Sequence, residues 1–176
     1  MSSTQQREFH IVLIKPTHYD DDGYPIQWFR SAVPSNTLAC LNGLAMDAQR
    51  TRILGPDVAI QIHTHDETNQ RMRPDKIIRM ISKRGGKALI ALVGVQSNQF
   101  PRAVDISRPF LKAGLPVCIG GFHVSGCIAM LPEWRRTFAM RRRSAFRSLP
   151  ARPKTAASIR LFATPGRASS LRFITI

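Results

Sequence analysis

Four short groups of residues have the types and spacing to do chemistry: Thr17-His18, His63-x-His65-Asp66, Ser97-Asn98 and Gly120-Gly121-Phe122-His123. Two histidines at i and i+2 on an extended segment share one side, and with Asp66 they have the look of metal ligands. No second ligand cluster stands at zinc spacing, so a protein-ligated metal is not expected. Asp20-Asp21-Asp22 has the acid content of a cation or phospho-acceptor pocket. It lies several residues past the first apolar run, however, and reads as a solvated loop. Gly120-Gly121 is a point where backbone bends sharply and a bulky ligand can approach the main chain. Cys40, Cys118 and Cys127 are odd in number, sit in or beside apolar runs, and read as buried reduced thiols of a cytoplasmic protein. Their spacing fits no iron–sulfur site. No Gly-x-Gly-x-x-Gly follows the first strand and no Gly-x-x-x-x-Gly-Lys-Ser/Thr occurs, which argues against dinucleotide and P-loop sites.

Each of the four groups leaves the end of an apolar run. The runs are Phe9–Lys15, closed by Pro16; Val58–Ile62, opened by Gly55-Pro56-Asp57; Ala88–Val95; and Leu115–Ile119. Near-continuous apolar runs of this kind are strands covered on both faces. Between them the periodicity is helical. Ser35 is placed to cap a helix carrying Leu38, Leu41, Leu44, Ala45 and Ala48 on one face. Pro74 sits at the first turn of a helix with Ile77, Ile78 and Ile81 inward, stopped by Gly85-Gly86. A third helix spans about 101–113, where Pro109 implies a kink or a break. Strands alternating with amphipathic helices specify an α/β fold, a parallel sheet with helices on both faces, and a flavodoxin-like (Rossmann-like) order is the most economical. All four groups then converge on one rim of the sheet, as a single binding crevice.

The net charge of +15 is unevenly distributed. Residues 1–133 hold 15 Lys and Arg against 11 Asp and Glu, whereas residues 134–176 hold 11 against none. Two units follow: an α/β domain at 1–133 and an Arg-rich tail at 134–176. No stretch approaches a membrane span, and the amino terminus has no signal-peptide pattern, so neither membrane nor export is expected.

The strand end Val93-Gly94-Val95-Gln96-Ser97, the helix after it, Leu115-Pro116-Val117-Cys118-Ile119-Gly120-Gly121-Phe122-His123 and the later Leu131-Pro132-Glu133 resemble the N-terminal cobalamin-binding domain of B12-dependent radical SAM proteins. The resemblance covers about residues 9–133. It implies a domain that holds the nucleotide tail of a corrinoid at the strand ends. Ser97 and Asn98 would hydrogen-bond the tail, Gly120 and Gly121 would let backbone approach it, and Thr17, Phe122 and His123 would complete the rim. It also implies cobalamin bound without a protein imidazole on cobalt, and no Asp-x-His-x-x-Gly motif is present. Two departures matter. The Cys-x-x-x-Cys-x-x-Cys that holds the 4Fe–4S cluster beside S-adenosylmethionine in the intact family is missing, so this chain has no catalytic motif. The pattern also stops after Glu133, before the family's last helix and strand, so the sheet is expected to lack its last strand.

The tail carries Arg135-Arg136, Arg141-Arg142-Arg143 and scattered Pro and Ser with little apolar periodicity. It reads as out-of-frame translation, as a disordered tail, or as a nucleic-acid or anionic-membrane arm. The first is favoured, since codons for Ala151–Thr155 can be chosen so that a one-base shift spells Gly-Glu-Ala-Glu-Asp. The leading expectation is corrinoid binding by a chain whose catalytic part is missing. The rival is a small basic nucleic-acid-binding protein acting through the tail. A third is an enzyme using the strand-end histidines with a divalent metal.

Overall fold

A computed structural model describes residues 7–28, 35–130 and 172–173. Among them run β1 (Arg7–Lys15), α1 (Asn36–Arg50), β2 (Val58–Asp66), α2 (Pro74–Lys83), β3 (Ala88–Leu92), α3 (Phe100–Lys112), β4 (Val117–Ile119), α4 (Phe122–Met130) and β5 (Arg172–Phe173). The sheet order is β2-β1-β3-β4-β5, and every neighbouring pair is parallel. This is the flavodoxin-like order, with the chain reversing direction across the sheet between β1 and β3.

β1 lies between two strands and is covered on both faces, so Ile11, Val12, Leu13 and Ile14 are buried in succession. Their alternation divides the core in two. Val12 and Ile14 face α2 and α3, where they pack with Ile77, Ile81, Ile106 and Phe110. Ile11 and Leu13 face α1 and its buried Leu38 and Ala45. Ser35 caps α1 by accepting from the Leu38 N–H at 3.3 Å, as its sequence position implies.

Several boundaries differ from the sequence reading. β2 continues four residues past Ile62, because β1 offers nine partners and pairs as far as Lys15↔Asp66. His63 and His65 therefore lie inside the ladder and not beyond it. β3 stops at Leu92, where Gly94 at φ +64° turns the chain out of the sheet. Pro109 sits within α3 without ending it; Phe110, fully buried, and Ile106 hold that turn against the sheet. Phe122 and His123, read as the end of a strand, form the first turn of α4, closed by Ser125 N–H donating to Gly121 O at 3.0 Å. Cys40 is exposed on α1, contrary to the buried thiol expected, while Cys118 and Cys127 are half-buried. Burial pushes the Cys118 thiol up to about 11.

At the β4 edge no full-length fifth strand stands among the described residues. Two backbone residues take its place, Cys118↔Arg172 and Ile119↔Phe173. The remaining readings of the tail, and the Leu131-Pro132-Glu133 motif, lie outside the described residues.

Candidate functional site

In a sheet of this order the crevice lies beyond the carboxyl ends of the strands, at the point of reversal between β1 and β3. The rim there has two halves with different chemistry.

The half beside β1 and β2 is closed on itself. Thr17 is fully buried; its N–H donates to Glu67 Oε2 at 3.2 Å and its hydroxyl to Ile26 O at 2.7 Å. Glu67, also fully buried, receives the Arg102 guanidinium on both oxygens, with Nη2 at 2.5 Å and Nε at 3.1 Å. Arg102 Nη1 also donates to the Tyr19 hydroxyl at 3.2 Å, and that hydroxyl donates to Asp105 Oδ2 at 2.7 Å. Burial pulls the Arg102 pKa down, but the bonds to Glu67 and Tyr19 outweigh it and hold the group above its ordinary value. Burial and the Asp105 bond raise Tyr19. Gln99 ties the β3–α3 loop across to Pro16 O at 3.0 Å. Asp20-Asp21-Asp22 is exposed in a turn where Asp20 Oδ1 accepts the Tyr24 N–H at 2.7 Å.

The half beside β3 and β4 is open. Ser97 and Asn98 are exposed in the β3–α3 loop. His123 reaches it from α4, with Nδ1 3.2 Å from Ser97 Oγ and Nε2 3.7 Å from Cys127 Sγ. Its ring lies against Phe100 at a centroid distance of 4.3 Å. Phe122 is 80% exposed. Ser97 and His123, 26 positions apart, are brought together as the shared rim requires.

The glycine pair is used differently from expectation. A Cβ on Gly121, whose φ is +143°, would stand 2.2 Å from Val95 N and 2.5 Å from Val95 O. Gly120 donates to Leu92 O at 2.8 Å and accepts from Val95 N–H at 3.0 Å. The close approach that the glycines permit is to the chain's own β3–α3 loop, which they fix beside the amino end of α4.

His63 and His65 lie within β2, paired in register with Val12 and Ile14 of β1. His63 Nε2 lies 3.1 Å from Nδ1 of the fully buried His10, with the two rings stacked. His10 Nε2 stands 3.5 Å from Glu8 Oε2 without hydrogen-bond geometry. Burial lowers the pKa of His10, with Glu8 opposing and Arg84 reinforcing. Burial, then His10 and His65, lower that of His63, and burial alone lowers His65. Among the described residues, no group of three His, Cys, Asp or Glu is placed to hold a metal ion.

The sequence reading missed Glu67, Arg102, Tyr19, Asp105 and Cys127. One signal was available: an acid directly after β2, and an arginine in the first turn of the helix that follows β3, the next strand in the chain. No protein-family model, curated protein or solved structure matches the chain. Fold and rim define a flavodoxin-like α/β domain with polar side chains exposed beyond the carboxyl ends of β3 and β4, in which no described helix is long and apolar enough to cross a membrane.

Proposed function

We propose that the open half of the rim binds the nucleotide tail of a corrinoid, and that this chain is a cobalamin-binding module with no catalysis of its own. The observation that carries the reading is the exposed set Ser97, Asn98 and Phe122 around His123, beyond the carboxyl ends of β3 and β4. A hydroxyl, an amide and an aromatic face suit a polar, ring-bearing tail. Both nitrogens of His123 face groups of its own chain, Ser97 and Cys127, which fits a corrinoid held without imidazole on cobalt. Thr17 and Gly121 then support the rim and do not contact ligand. Any cobalt-centred chemistry is the cofactor's, and the residues here hold the tail and orient it. An intact radical SAM parent would add the 4Fe–4S cluster and S-adenosylmethionine, for which these 176 residues have no Cys-x-x-x-Cys-x-x-Cys.

The test is retention of hydroxocobalamin on gel filtration, followed by its visible absorbance. The chain should carry about one equivalent, and the Ser97→Ala/Asn98→Ala/Phe122→Ala variant should bind at least about tenfold more weakly with an unchanged unfolding midpoint. A chain that elutes colourless at micromolar cobalamin sinks the reading.

A further inference from the structure

The mild net charge of the body conceals a strong polarity. Residues 71–87 hold seven Lys and Arg against one Asp, while the rest of 1–133 holds eight against ten acids. The positive charge of the domain is therefore concentrated on α2 and its two flanks. Ile77 and Ile81 turn the apolar side of α2 into the core, and Arg71, Arg73, Lys76, Arg79, Lys83, Arg84 and Lys87 are all exposed. Lys76, Arg79, Met80, Lys83 and Arg84 line an open cleft of about 450 Å³.

Carboxylates answer only part of this charge. Asp75 pairs with Arg79 at 2.6 Å, and Glu8 meets Arg84 at 3.7 Å. Among the described residues, Arg71, Arg73, Lys76, Lys83 and Lys87 have no carboxylate within ion-pair distance. Lys76 and Lys83 are the unpaired cations on the 10-residue helix itself, and Arg71, Arg73 and Lys87 flank it, so the face keeps a net positive field. A polyanion that spans the helix is drawn to that field.

We infer that the α2 face is a docking surface for the phosphate backbone of duplex nucleic acid, separate from the strand-end rim. Lys76, Arg79 and Lys83 recur about one helical turn apart, so they form a row of cations along roughly 10 Å at 1.5 Å per residue. A row of that kind matches a rigid line of phosphates. A lipid surface is a poorer occupant, because a membrane-lying helix needs an apolar face to insert, and that of α2 is already buried. The cleft offers cations and one thioether, with no aromatic ring for stacking single-stranded bases, so a duplex bound through its backbone is the fitting form.

The experiment is fluorescence anisotropy of the full chain on a mixed-sequence 20-base-pair duplex across a salt series. Lys76→Glu/Arg79→Glu/Lys83→Glu changes only exposed side chains and should leave the unfolding midpoint in place. It should weaken binding at least tenfold at low salt and reduce the salt slope by about 0.9 for each phosphate no longer neutralised. Asp75→Asn, which removes the one acid of the segment, should tighten binding severalfold, a gain that misfolding cannot produce. Unchanged affinity and slope in the triple variant, or competition by poly-glutamate as effective as by unlabelled duplex, would overturn the assignment. Hydroxocobalamin retention is read on different residues, so failure of the rim and failure of this face are separately visible.

Discussion

The two halves of the strand-end rim use similar residue types to opposite ends. Beside β1 and β2 the buried polar groups have found one another: Thr17 binds Glu67 and Ile26, Glu67 binds Arg102, and Arg102 reaches Tyr19 and through it Asp105. Beside β3 and β4 His123 meets Ser97 and Cys127, but Ser97 and Asn98 are exposed and the Phe122 ring stands in solvent. A buried polar group must be satisfied within the protein or it costs a great deal. An exposed one can wait for a ligand. Polar convergence at strand ends therefore means scaffold on one side of the switch point and exposed side chains, the proposed site, on the other.

The largest effect tests the frame under both halves. Gly121→Ala drives a Cβ into the Val95 backbone, which cannot yield without moving the β3–α3 loop. A loss of about 3 kcal/mol or more, or failure to fold, is expected in urea titrations. A substitution there is thus no probe of ligand binding, since any side chain meets the same backbone. Next comes Glu67→Ala, which strands a partly buried guanidinium and the Thr17 N–H; it should cost about 3 kcal/mol. The double variant Glu67→Leu/Arg102→Leu should recover much of that loss. If Glu67→Ala proves neutral, the closed half is not a scaffold and the contrast fails.

Glu67 and Arg102 also show what sequence alone could not rank. Thr17, Ser97 and His123 were all legible as strand-end polar residues, because apolar runs and their stops mark where strands finish. Which of them face inward was not legible. That depends on Glu67 lying beneath Thr17, from a loop 50 positions away. The histidines of β2 were placed outside the ladder for a related reason. An edge strand of a parallel sheet tolerates polar residues that break an apolar run, so the run alone underestimates its length.

A smaller effect is acid sensitivity. His10, His63 and His65 all have folded-state pKa values lowered from 6.5, chiefly by burial. The unfolded chain therefore takes up protons first as pH falls, and the stability present above about pH 6.5 is lost below it. The unfolding midpoint should drop between pH 7 and 5, and the His10→Leu/His63→Leu variant should show a shallower drop. An equal or steeper drop in that variant would place the acid sensitivity elsewhere. Smallest of all is the stability cost in the open half: Ser97→Ala and Asn98→Ala should each stay within about 0.5 kcal/mol, while weakening corrinoid retention. If they destabilise as much as Glu67→Ala, the open half is scaffold too.

By itself the sequence determined the alternation of strands and helices, the cap at Ser35 and the parallel sheet, because these follow from local periodicity and capping chemistry. It also held the charge polarity of residues 71–87, which a division of the chain at residue 133 averages away. Tertiary structure alone decided the rest. It set Gly121 against Val95, joined Glu67 to Arg102, and paired His10 with His63. Each of these is a contact between segments distant in the chain, fixed by sheet order and register, which no local pattern encodes.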